Sequence, residues 1–125
     1  MWKIRKKYVF EAAHYLPNVP DGHQCGRVHG HSYTLEVELS SSSLSDHGWV
    51  MDFSDVSSVV KPLVATLDHQ LLNEVDEALG NPTSEILAEW AFARLAPALP
   101  GLVAVSIAET ASSLATYSVP AGSPA

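Results

Sequence analysis

At 125 residues and 46% apolar, the chain has the size of one ordinary domain, expected over 1–119, and should bury roughly two thirds of its unfolded surface. Fourteen acidic residues against seven basic ones give a net charge of −7, which argues against nucleic acid and anionic membrane as partners. The single cysteine allows no internal disulfide, and the absence of a signal-like opening or an apolar run of ~18 residues leads us to expect a soluble cytoplasmic protein.

From Trp2 to His14 the even positions are mostly apolar, broken only at Lys6, which predicts a long half-buried strand with His14 in phase with Tyr8, Phe10 and Ala12. Pro17, Asn18, Pro20, Gly22 and Gly26 predict a loop, after which the alternation resumes as His29, His31, Tyr33, Leu35, Val37 and Leu39. Ser40 to Ser43 and Asp46-His47-Gly48 form a polar connection. Ser54 is then placed to cap a helix whose inward residues are Val56, Val59, Val60, Leu63, Val64 and Leu67, with a kink or a local break expected at Pro62. After Gly80-Asn81-Pro82, Thr83 caps a second helix from Ser84 to about Leu95, with Ile86, Leu87, Trp90 and Ala91 inward. Val103, Val105, Ile107 and Glu109 alternate on a third strand that Leu114 to Val119 can pair with, and 120–125 reads as a disordered tail. The order ββααββ defines an α+β domain, a small antiparallel sheet with two helices on one face. Its other face and outer edges favour assembly.

Residues two apart in a strand project to the same side roughly 6.5 to 7 Å apart, so His29 and His31 can converge on one point. His14, ending the preceding strand, supplies a third nitrogen. Three histidines without a cysteine cluster suit a catalytic Zn²⁺ with its fourth position open. Cys25 leaves two readings: a fourth ligand that closes a structural Cys-His₃ site in a non-catalytic assembly module, or a free thiolate beside the metal and Arg27, acting as base or nucleophile. Asp68 and His69 follow the first helix, where adjacent side chains diverge by about 100°, so each is expected to reach a third group instead of the other. Glu109, in phase with the buried face, needs donors, from a ligand with two N–H groups or from a salt bridge.

The segments "FEAAH" (10–14), "CGRVHGHSY" (25–33), "MDF" (51–53), "LDHQLLN" (67–73), "NPTSE" (81–85) and "ET" (109–110) together resemble the 6-pyruvoyltetrahydropterin synthase family over about residues 3 to 118. The similarity is greatest to its bacterial queuosine-pathway branch, with three residues, Gly26-Arg27-Val28, between Cys25 and His29. The resemblance implies a tunnelling fold (T-fold), in which sheets of three subunits join into a barrel and two trimers stack as a homohexamer. It implies that His14, His29 and His31 hold one Zn²⁺ per subunit, and that Cys25 is the catalytic base supported by Asp68 and His69. Glu109 would anchor a pterin ring, Thr83 and Ser84 would border its pocket, and Arg27 is the candidate for phosphate contact. The implied substrate is 7,8-dihydroneopterin triphosphate, and the implied reaction is a lyase step needing no redox cofactor. The product is 6-carboxytetrahydropterin in this branch and 6-pyruvoyltetrahydropterin in the other.

Overall fold

The apolar alternation runs the whole length of two thirteen-residue strands, β1 (Trp2–His14) and β2 (His29–Ser41), which pair antiparallel from Trp2 opposite Ser41 to His14 opposite His29. The structure, a computed structural model, describes residues 1–122. After β2 come α1 (Phe53–Leu67), β3 (Gln70–Leu71), α2 (Ser84–Leu95), β4 (Leu102–Thr110) and β5 (Ser113–Ser118), in a five-stranded sheet ordered β3-β1-β2-β4-β5. Pro120 to Gly122 are exposed and irregular, and the remainder of the tail expected to be disordered, 123–125, lies outside the described residues. Among the described residues no helix is long and apolar enough to cross a membrane.

One sheet face carries the core. Phe10, Tyr33, Leu35, Val37, Leu39, Val105 and Ile107 are buried with Val56, Val60, Val64 and Leu67 of α1 and Leu87, Ala88, Ala91 and Leu95 of α2. The other face is polar: Arg5 Nε lies 2.7 Å from Glu38 Oε1, and Lys7 Nζ lies 3.9 Å from Glu36 Oε2. Such exposed pairs contribute little stability. Val9 and Leu114 are exposed apolar residues on the same face.

Several local expectations are corrected. Asp52, not Ser54, caps α1, its Oδ1 accepting from Ser54 N–H and Ser54 Oγ–H, both at 2.8 Å; aspartate ranks with serine as a cap, and it comes first in the chain. The helix runs through Pro62 without a break. Pro62 and Ser58, whose carbonyl loses its partner, are both exposed, so water can satisfy that carbonyl. In α2, Phe92 and Ala88 are buried while Ile86 and Trp90 are only half-buried, a rotation of the expected inward face. The short β3, parallel to β1 through Ala12 and Ala13, interrupts the expected ββααββ order; two residues show no periodicity to read.

Gly101, just before β4, is a position where only glycine fits. Its φ is +87°, and a Cβ there would lie 2.7 Å from Ser40 O, while Ser40 N–H donates to Gly101 O at 2.9 Å. Gly101→Ala is therefore expected to cost roughly 2 to 3 kcal/mol, read as a fall in the urea midpoint. An unchanged midpoint would show that the β2–β4 junction relaxes freely.

Candidate active site

The pairing of β1 with β2 sets His14 directly opposite His29, and the period of two brings His31 to the same side. The ring centroids lie 4.5 Å (His14–His29), 5.2 Å (His14–His31) and 4.9 Å (His29–His31) apart. One nitrogen from each lies within 4.8 Å of the others. The backbone orients two of the rings: His14 Nδ1 is 2.8 Å from Pro82 O, and His29 Nδ1 is 2.7 Å from Arg27 O. With Nδ1–H donating to a carbonyl, each ring keeps Nε2 free as an acceptor, the arrangement by which proteins orient metal-binding histidines.

His14 Nε2 and His31 Nε2 are buried without a hydrogen-bond partner, a costly state for a polar atom unless something else fills the space between them. Burial lowers the His14 pKa below the ordinary imidazole range, His29 and His31 add to the fall, and the Pro82 carbonyl and Glu109 oppose it. The neutral ring that results is the form that binds a metal. Three converging imidazoles fit a divalent cation of the zinc type.

Glu109, near the end of β4, brings a carboxylate to this cluster: Oε1 lies 3.9 Å from His14 Nε2 and Oε2 lies 3.7 Å from His31 Nε2. Ser84 Oγ–H donates to Oε1 at 2.9 Å. A pocket of roughly 250 Å³ opens here, lined by Ser84, Glu85, Glu109, Ser113, Leu114 and Ala115. Thr83 uses its hydroxyl as the α2 cap, accepting from Ile86 N–H at 3.2 Å.

On the other flank, His69 lines a second pocket with Ala12, Gly30, His31 and Gln70. Here the sequence expectation is corrected, because Asp68 and His69 do meet each other, with Oδ2 3.0 Å from Nδ1. The pair lies beyond the last turn of α1, with Asp68 extended (φ −67°, ψ 130°) and His69 left-handed at φ 59°, so the helical divergence does not apply. Asp68 Oδ1 also accepts from Glu11 N–H at 2.9 Å. That backbone bond, followed by the contact with His69, holds the Asp68 carboxyl below its usual range.

Cys25 sits half-buried on a 3-10 turn, Gln24–Gly26, and its thiol is not among the ligand atoms that converge between the histidines. Arg27 is exposed and lines a separate pocket with Leu16, Val19, Asp21 and His23. Tyr33 escaped the sequence reading as a site residue. Its ring stacks on Phe10 at 5.0 Å and meets His14 and His31 edge-on at 5.8 and 5.4 Å, and its buried hydroxyl has no partner. Burial, with Glu109 adding, raises its pKa strongly. Its signal was the alternation His29, His31, Tyr33.

Three imidazoles that could hold a metal ion, at the end of a strand pair and flanked by a carboxylate and by an Asp-His pair, give this α+β domain the equipment of an enzyme. The chain belongs to the 6-pyruvoyl tetrahydropterin synthase family, whose model matches residues 3–120. It is 45% identical to the 6-carboxy-5,6,7,8-tetrahydropterin synthase of Synechocystis sp., over 99% of this chain and 98% of the relative. To the protein of the same name from Bacillus subtilis it is 32% identical, over 93% and 84%. Among solved structures, the 6-pyruvoyl tetrahydropterin synthase of Caenorhabditis elegans matches with a TM-score of 0.84 at 25% identity, over 94% of this chain and 95% of the other. The fold is the tunnelling fold of these pterin synthases.

Proposed function

We propose that this protein is a zinc-dependent 6-carboxy-5,6,7,8-tetrahydropterin synthase of the cytoplasm. It would convert 7,8-dihydroneopterin triphosphate and one water to 6-carboxytetrahydropterin, acetaldehyde and triphosphate in queuosine (7-deazaguanine) biosynthesis. The observation that carries this reading is the convergence of His14, His29 and His31 with the Glu109 carboxylate 3.7 to 3.9 Å from two of them. Relatives named for this activity match along almost the whole chain.

His14, His29 and His31 would hold the zinc, which when bound supplies Lewis acidity to the hydroxyls of the substrate side chain. Glu109, one oxygen fixed by Ser84, accepts the N–H groups of the pterin ring and so sets the side chain against the histidines. Cys25 as thiolate takes the proton, and the Asp68–His69 pair relays it. Arg27 is the residue we assign to the phosphates. The ring gains the electrons the side chain loses, so no external redox cofactor is needed.

Because the thiol of each chain lies off its own triad, an assembly of chains is part of the proposal: a homohexamer of two trimers whose sheet edges pair between subunits. Formation of 6-pyruvoyltetrahydropterin from the same substrate is the second reading, favoured by the likeness to the nematode enzyme's structure. Incubation of the zinc-loaded protein with dihydroneopterin triphosphate, with mass analysis of the products, is expected to yield the 6-carboxy compound and acetaldehyde. A 6-pyruvoyl product would move the assignment to the second reading. No turnover by a protein that keeps zinc would support the Cys-His₃ assembly module instead. Light scattering on the same sample should report six chains, and a fully active monomer would refute the assembly.

A further inference from the structure

The backbone around Cys25 is pinned by its neighbours. Leu16 N–H donates to Cys25 O at 2.8 Å, Gly26 N–H to His23 O at 3.0 Å, and Arg27 N–H to Gln24 O at 3.2 Å. The Cys25 N–H itself donates to a side chain, His23 Nδ1, at 3.1 Å. His23, extended at φ −66° and ψ 133°, is thus the N-cap of the turn that presents the thiol.

We propose that His23 is a positioning residue for Cys25, and that its neutral imidazole fixes the turn on which the thiol is presented. This rests on the reading of Cys25 as the base. N-caps are ordinarily oxygen acceptors from Ser, Thr, Asn or Asp. An imidazole replaces them only while Nδ1 keeps its lone pair, with any ring proton on Nε2; an imidazolium donates at both nitrogens and cannot cap. This cap therefore depends on which ring nitrogen carries the proton, where an oxygen cap does not. The charged groups sharing the pocket wall with His23 are Asp21 and Arg27, of opposite sign, with the Cys25 thiol two residues on.

The test uses the full-length, zinc-loaded protein with His23→Ala, His23→Asn and Cys25→Ala. His23→Ala is expected to lower kcat about tenfold with KM within about twofold of the parent, with zinc content unchanged. Asparagine restores an oxygen cap, so His23→Asn should recover the parent rate. Cys25 is the only cysteine, so its alkylation by iodoacetamide gives a second readout that needs no substrate: a rate altered by His23→Ala and returned by His23→Asn. A normal kcat in His23→Ala, or no recovery by asparagine, would overturn the proposal. If Cys25→Ala is inactive and His23→Ala normal, only this inference falls. If Cys25→Ala keeps its turnover, the role of Cys25 falls and this inference with it.

Discussion

His29→Ala and His31→Ala proteins are expected to purify with far less than one zinc per chain and to lose at least about a thousandfold in kcat, whereas Cys25→Ala loses turnover but keeps about one zinc. The geometry sets the contrast. Each histidine offers one of three nitrogens lying within 4.8 Å of one another, and the thiol of the same chain is outside that group. With one imidazole removed, two nitrogens remain, and the metal must complete its shell from water. Elemental analysis beside steady-state rates decides the matter. Zinc lost from the Cys25→Ala protein would make the thiol a ligand supplied by a neighbouring chain and would return the site to a closed, structural one.

Glu109→Gln should cost at least about thirtyfold in kcat/KM, on the order of 2 to 4 kcal/mol of transition-state binding, with a melting temperature close to that of the parent. The carboxylate is 29% exposed and its hydrogen bond comes from Ser84, so the core does not depend on its charge. Glutamine can still accept from Ser84 through its oxygen. Its other arm becomes an NH₂ group, which meets the N–H donors of a pterin ring with a donor of its own. Kinetics beside a melting curve separate the two roles. Near-normal turnover, or a variant that does not fold, would make Glu109 a structural partner of the histidines and would displace the substrate from the Ser84 side of the site.

The long strands were legible because thirteen residues of alternation leave a single choice of face, and successive strands of such a sheet usually pair; their register is a finding of the structure. That was enough to anticipate His14, His29 and His31 on one side of the sheet. What escaped the sequence depends on single dihedral angles or on distant partners. The Asp68–His69 contact occurs where His69 takes a φ of 59°, which no local pattern announces. The carbonyl of Pro82 and the hydroxyl of Ser84 reach His14 and Glu109 across 68 and 25 residues, and only the docking of α2 on the sheet brings them there. In α1 two residues able to cap stood two positions apart, Asp52 and Ser54, and composition alone did not rank them. Where the Cys25 thiol lies relative to the histidines was unreadable for another reason, since 16–28 forms a loop without a period.

The start of α2 touches both halves of the site at once. Pro82 holds His14 by its carbonyl, and two residues later Ser84 holds a carboxylate oxygen of Glu109. An occupant of either half therefore restrains a segment the other half also uses, and the ordering cost met by the first occupant is not met again by the second. Reciprocity then requires that whatever factor a bound cation adds to the affinity for a ring at Glu109, the ring adds to the affinity for the cation. On the proposed function, the two ligands would then be coupled through three residues of backbone, in addition to any contact between the metal and the substrate side chain.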